Sequence, residues 1–357
     1  MTISMRRILR VALAACGLLA GAAGASAGTL ETVRTRGQLI CGINPNLPGF
    51  GQPDDKGQFK GFNADICRAI AAAVLGDPAK VKFMPLTAVT RFQALTSGEV
   101  DLLTHNSTWT MGRDTASGLH FTGYTFFDGQ AFLAKKSAGL TSAAELSGAS
   151  VCAQQGTTSE LNAADFFRAH KAKYELVTYA SDDDATRAFR QGRCDVLTSD
   201  ASALAAARLK LPNPDDYVIL PEVISKEPLG LMVRDGDDKW FDIVRWTMNA
   251  LIDAEELGVT RANAAEAVKS PNPEVRRLLG VEGKFGAAIG LSDDWALNAV
   301  SAAGNYGEIF ERNLGAGSPM KLPRGINALW TKGGILYAPP VRLSLIHISE
   351  PTRQAEI

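Results

Sequence analysis

Several things are scarce in this chain of 357 residues. Aromatic residues make up 7%, histidines number four, and 37 basic residues are matched by 38 acidic ones, a formal charge of −1. Charge so evenly mixed leaves no basic stripe or tail of the kind that grips nucleic acid. It also leaves no strongly basic amphipathic stretch for a membrane surface. Past the N-terminal region, no segment holds the roughly 20 apolar residues of a membrane span. His105, His120 and His170 stand at no catalytic or metal-ligand spacing. Neither a nucleophile elbow nor a GxGxxG fingerprint occurs. The expectation is therefore a protein without catalytic residues, metal or cofactor.

The two ends stand apart from the rest. Arg6, Arg7 and Arg10 precede a run from Val11 to Ala25 built almost wholly of Ala, Leu, Val and Gly, followed by Ala25-Ser26-Ala27. Basic head, short apolar middle and small-residue exit are the layout of a secretory signal peptide over residues 1–27, and predict the periplasm as destination. Leu13-Ala14-Ala15-Cys16 has the look of a lipobox, but Arg10 leaves almost no apolar stretch before that cysteine. From Leu343 to Ile357 the text resembles a translated sequencing-library adaptor, so residues 343–357 are set aside as non-native and His347 carries no functional weight.

Removing Cys16 leaves Cys41, Cys67, Cys152 and Cys194, an even set with three possible pairings in an oxidising compartment. Local pairing, Cys41 with Cys67 and Cys152 with Cys194, is the simplest. Zinc ligation is the rival, but no CxxC is present. Four unrelated core thiols are the third reading.

Between the ends, strand and helix patterns alternate, which predicts α/β layers with mostly parallel sheets. Strands are expected at 39–43, 81–84 and 100–103, with helices at 64–75 and 90–97. A second series follows: strands at 150–153, 175–179, 196–198 and 217–220, with helices at 158–170, 182–191 and 202–209. Extended segments at 126–134 and 226–231 suggest two crossings between lobes, hence a hinge with a ligand cleft at the strand ends. Helices are expected at 239–257, 261–268 and 295–310. Asp182-Asp183-Asp184 tempts as a metal cluster, but three consecutive residues cannot all face one ion, and the run reads as a helix cap. The resulting division is lobe 1 at 28–127, lobe 2 at 128–228, a return to lobe 1 at 229–270, and a C-terminal extension at 271–342.

Particular residues carry a resemblance. Gly98-Glu99-Val100-Asp101-Leu102-Leu103, followed by Asn106-Ser107-Thr108-Trp109-Thr110-Met111-Gly112-Arg113, resembles the polar amino-acid-binding proteins of bacterial ABC importers, and more closely their general L-amino-acid subfamily. Cys152-Ala153-Gln154-Gln155-Gly156-Thr157-Thr158, Gly192-Arg193-Cys194-Asp195-Val196 and Ile224-Ser225-Lys226-Glu227-Pro228-Leu229 extend the likeness, which spans about Thr29 to Arg342. It implies a two-lobed periplasmic-binding-protein fold of type II with two hinge crossings and a C-terminal helical extension. The implied partners are free L-amino acids and the permease subunits of an ABC transporter, with the protein itself a monomer.

The resemblance also implies roles. Arg113 matches the arginine that grips the ligand α-carboxylate, where a bidentate fork suits a planar group. Thr108 adds a hydroxyl to that carboxylate, and Thr157 presents backbone N–H groups to it from the mouth of a helix. The Asn106 carbonyl accepts from the α-ammonium, and Asp200 matches the acid that holds it. Asp200 could instead simply cap the helix after it. Phe50 and Trp109 are either pocket walls or lobe packing. Narrow relatives place stacking aromatics where this chain has Leu47 and Ala88, and the subfamily places an acid where it has Asn44. Both departures favour broad specificity over a strict preference for Lys or Arg. A chemosensory or receptor-facing carrier on the same fold is the alternative function.

Overall fold

The computed structural model describes residues 28–115 and 118–342; the expected signal peptide and the adaptor-like tail lie outside them. Two five-stranded sheets organise the chain. In the first the order is Val81–Pro85, Leu39–Ile43, Leu102–Thr108, Glu227–Arg234 and Leu119–Asp128. In the second it is Tyr217–Ile219, Gln130–Lys135, Val196–Asp200, Ala149–Gln154 and Tyr174–Tyr179. The first sheet and its helices form lobe 1, the second sheet and its helices lobe 2.

The expectation of mostly parallel sheets needs correction, because each sheet has two parallel and two antiparallel pairings. The antiparallel pairings all involve Gln130–Lys135 or Glu227–Arg234, the strands that begin where the chain changes lobe. A crossing strand enters its new sheet from the hinge end, against the direction of strands fed by helices. The two connections touch at Gly129: a Cβ there would lie 2.2 Å from Val223 Cγ1 and 2.9 Å from the Ser225 carbonyl oxygen. Only glycine permits this approach.

Burial explains the strand and helix choices. Leu39–Ile43 is almost wholly buried, as expected of a strand covered on both faces. The Phe62–Leu75 helix buries eleven of its residues, including the run Ala69 to Val74. It is stopped by Gly76 in the left-handed conformation at φ 68°. Both expected disulfides are formed, Cys41–Cys67 inside lobe 1 and Cys152–Cys194 inside lobe 2.

Beyond residue 235 the helix Asp238–Glu256 forms, capped by the Asp237 carboxylate on the Trp240 N–H at 3.0 Å. The expected helix at 261–268 shrinks to Ala264–Ala267. The expected continuous helix at 295–310 is divided into Trp295–Ala303 and Tyr306–Asn313. Gly304 at φ 85° ends the first, and Asn305 with Glu308 builds a capping box that starts the second.

The C-terminal extension is part of the lobe 1 core. Tyr306 and Phe310 join Phe50, Phe62 and Phe126 in one aromatic cluster, with Phe126 and Phe310 stacked at 6.2 Å and Phe50 and Phe126 edge-to-face at 5.4 Å. Asn327 bonds both backbone groups of Phe127, accepting from its N–H at 2.7 Å and donating to its carbonyl at 2.9 Å. The extension thus grips the strand that leads into the first crossing.

Candidate functional site

A narrow cleft lies between the lobes. Lobe 1 contributes Asn44, Leu47, Arg91, His105, Asn106, Thr108 and Arg113; lobe 2 contributes Gln154, Thr157, Thr158, Ser159, Asp182, Ser199, Asp200 and Ala203. The lobes meet across it. Asn44 Nδ2 donates to Asp182 Oδ2 at 3.0 Å, and Lys210 of lobe 2 donates to the Asn46 carbonyl while pairing with Asp183 at 2.6 Å.

Most of the residues expected from the resemblance gather here, each set by local structure. Asn106 has left-handed backbone at φ 50°, within a bulge between Leu103 and Ser107 in the pairing with Glu227–Arg234. Its side chain is held by Asn63, whose Nδ2 donates to Asn106 Oδ1 at 2.6 Å. Arg113 sits in the short helix Met111–Thr115, with Nη1 donating to the Thr108 carbonyl at 3.0 Å. Thr157 precedes the helix Thr158–Ala169 with extended backbone, and its hydroxyl turns back to the Gln154 carbonyl at 2.8 Å. No side chain caps that helix, so its first N–H groups and positive dipole end face the cleft.

Asp200 precedes the helix Ala201–Leu209 but makes no capping bond. That work falls to Asp128, whose carboxylate oxygens lie 3.3 and 3.4 Å from the Ser202 N–H. Desolvation, then the neighbouring carboxylates of Asp128, Glu227 and Asp182, holds Asp200 well above the usual carboxylate range. Asp128 itself is pushed up to about 6, chiefly by desolvation.

Three readings are corrected. Phe50 is fully buried in the lobe 1 aromatic cluster and reaches no part of the cleft. Trp109 stacks on Phe121 at 5.2 Å and meets Tyr124 at 4.9 Å, on the far side of its strand, because alternate residues face opposite ways. Both therefore serve packing. The cap of the Asp182–Arg190 helix is Ser181, whose Oγ accepts from the Asp184 N–H; Asp182 instead points into the cleft. Thr108 uses its hydroxyl to donate to Glu227 Oε2 at 2.5 Å.

Glu227, Arg91 and His105 are the residues sequence reasoning passed over. Glu227 is 1% exposed, and its carboxylate accepts from Thr108 Oγ1, Thr158 Oγ1 at 2.9 Å, Asn162 Nδ2 at 2.6 Å and Ser225 Oγ at 2.6 Å. A lone acid opening a strand whose interior, Pro228 to Val233, carries no polar side chain was the available signal. Arg91 opens the helix Arg91–Thr96, where a cation opposes the helix dipole, and that mismatch was its signal. Charge is divided across the cleft: Arg91 and Arg113 come from lobe 1, Asp182 and Asp200 from lobe 2. Among the described residues no group of His, Cys, Asp and Glu could hold a metal ion, and no helix is long and apolar enough to cross a membrane.

Two α/β lobes, a double crossing and a cleft that sets cations against anions define a two-lobed solute-binding protein of the type II fold. A family model described as bacterial extracellular solute-binding proteins, family 3, matches residues 39–262, and the chain belongs to that family. It is 53% identical over 338 residues to the general L-amino acid-binding periplasmic protein of Rhizobium johnstonii, covering 94% of this chain and 99% of that one. It is 56% identical over 333 residues to a glutamate/glutamine/aspartate/asparagine-binding protein of Rhodobacter capsulatus, covering 93% and 97%. Among solved structures, a periplasmic binding protein from Brucella ovis with glutathione bound matches with a TM-score of 0.87 and 55% identity. That match covers 88% of this chain and all of that one. The family is one of non-catalytic periplasmic binding proteins.

Proposed function

We propose that this protein captures free L-amino acids in the periplasm, with broad specificity, and delivers them to an ABC permease without catalysing a reaction. The observation that carries this reading is the division of charge across the cleft. A zwitterion presents a carboxylate and an ammonium only a few bonds apart. Arg113 on one lobe, with the open helix end at Thr157 on the other, suits the carboxylate; Asp200 suits the ammonium. Neither lobe alone satisfies both charges, so ligand favours the closed arrangement. The Asn106 carbonyl adds an acceptor for the ammonium, while the Thr108 hydroxyl, given to Glu227, serves the site by holding that carboxylate; Asn44 with Leu47 leaves the side-chain end unselective by shape. Export through the N-terminal signal peptide and action as a monomer complete the reading.

One further ligand class has support. A second, narrow recess adjoins the first, sharing Leu47, Gln154, Asp182, Ser199 and Ala203 with it. Glutathione, present in the Brucella ovis structure, carries a free α-ammonium and α-carboxylate on its γ-glutamyl residue, so the same grip suits it. Calorimetric titration of refolded, ligand-free protein with the common L-amino acids and glutathione tests both readings. Binding by several L-amino acids is expected, and heat from none of them would refute the first. Loss of L-amino-acid uptake on deleting the gene, restored by the protein, separates transport from a chemosensory role.

A further inference from the structure

We propose that a cavity formed where the C-terminal extension meets the end of the Asp238–Glu256 helix is a second binding site, for a short aliphatic ammonium ion, with Asp253 as its counter-ion. The cavity shares no lining residue with the inter-lobe cleft, so the inference is independent of the amino-acid-binding reading.

Asp253 lines this cavity and is 8% exposed, yet among the described residues its carboxylate makes neither a hydrogen bond nor an ion pair. Its neighbour two residues on shows what is missing. Glu255, similarly buried, is held by both terminal nitrogens of Arg324, at 3.1 and 3.0 Å. Asp253 meets charges of its own sign instead: desolvation, then Glu256 and Glu274, push its pKa up to about 7. Its place in the chain adds to the cost, since an acid in the last turn of a helix opposes the dipole, and no basic residue occupies that turn. A buried acid left unpaired is costly for structure alone. A bound cation would offset it.

The lining sets the ligand class. Among the described residues no acidic group is arranged to hold a metal ion, which leaves an organic cation. Asp253, Glu256 and Glu274 share the cavity with Arg277 and Arg342, so it is one positive charge short and suits a monocation. Arg342 pairs with Glu274 at 2.6 Å, whereas Arg277, its Nε buried and unpartnered, pairs with none of the three acids. Leu257, Leu278 and Val341 offer apolar wall to an aliphatic stem. Trp330 and Tyr337, edge-to-face at 5.4 Å, add the aromatic surface that attracts an ammonium, and Trp330 Nε1 is pinned to Glu256 Oε2 at 3.1 Å. At about 160 Å³ the cavity is well below the roughly 300 Å³ at which pockets for drug-sized ligands begin. It therefore takes one short chain, either a free amine or the lysine side chain of a partner protein.

Calorimetric titration of the full chain with n-butylamine, Nα-acetyl-L-lysine amide and 1-butanol tests the site. The lysine derivative has its α-groups blocked, which denies the cleft its grip, and butanol keeps the stem without the charge. Butylamine is expected to bind at least about tenfold more tightly than butanol. Heat from butylamine would assign the site to free amines; heat from the lysine derivative alone would assign it to a partner's side chain. Asp253→Asn should weaken either amine by about 10- to 100-fold, the worth of a charged hydrogen bond. Unchanged affinity in that variant would place the amine elsewhere and overturn the proposal. So would butanol that binds as tightly as butylamine, or no heat from either amine, and both of these comparisons use wild-type protein alone.

Discussion

Replacing Glu227 by glutamine exchanges one buried oxygen for an NH2 group at the point where the lobes join. The carboxylate accepts four hydrogen bonds: Thr108 and Thr158 on one oxygen, Asn162 and Ser225 on the other. The threonine hydroxyls can rotate to accept, whereas Asn162 donates through a fixed amide, so the new nitrogen should face the threonines. All four bonds then fall from charge-assisted to neutral, a loss of about 1 kcal/mol each. Opposing this, removing the charge relieves repulsion on Asp128 and Asp200, whose ionisation Glu227 disfavours, by roughly 1 to 2 kcal/mol at an effective dielectric near 20. The expected net destabilisation is about 2 kcal/mol. Glu227→Ala, which strands four donors, should cost at least twice as much. Equilibrium urea unfolding of ligand-free protein, followed by tryptophan fluorescence, measures both. A glutamine variant as stable as wild type, or an alanine variant no worse than glutamine, would refute the assignment of Glu227 as the polar anchor of the hinge.

Three further outcomes are expected. Arg113→Ala should weaken binding of every L-amino acid by about 2 to 5 kcal/mol in calorimetry, since the α-carboxylate loses its charge partner; unchanged affinity across several ligands would count against it. Because desolvation and its acidic neighbours raise the Asp200 pKa and a ligand ammonium would lower it again, binding should release protons in mildly acid solution, and affinity should rise with pH there. Titration in buffers of different ionisation enthalpy reads this directly, and proton uptake would contradict it. Small-angle scattering should show the radius of gyration fall on saturation with ligand; a constant radius despite tight binding would defeat the closure model.

The alternating pattern made much of the fold legible, because each strand and helix carries its own apolar period and stop signal. What local pattern does not encode is pairing. Glu227–Arg234 reads as any short strand, and nothing in its residues says that it enters antiparallel between Leu102–Thr108 and Leu119–Asp128. At the site, Arg113, Thr157 and Asp200 were legible through motif resemblance, and the structure brings them to one cleft. Phe50 and Trp109 were ambiguous because a large aromatic beside a binding motif suits a pocket wall and a core equally well. Asp182 was hidden by its position, since an acid in the first turn of a helix is what the dipole favours anyway.

The strand order of lobe 1 bears on the order in which the molecule can fold. All five strands of the second sheet lie within the continuous stretch from Gln130 to Ile219, so that lobe has every part it needs once this stretch is available. Lobe 1 does not. Its fourth strand, Glu227–Arg234, is interior to the sheet, and until it arrives Leu119–Asp128 has no neighbour to pair with. Its aromatic cluster waits longer still, for Tyr306 and Phe310. For a chain delivered N-terminus first, the lobe begun second is thus the one that can be finished first. The lobe begun first must keep an open sheet edge and an uncovered apolar face until the last third of the chain has arrived, which is the interval in which capture by a chaperone would matter most.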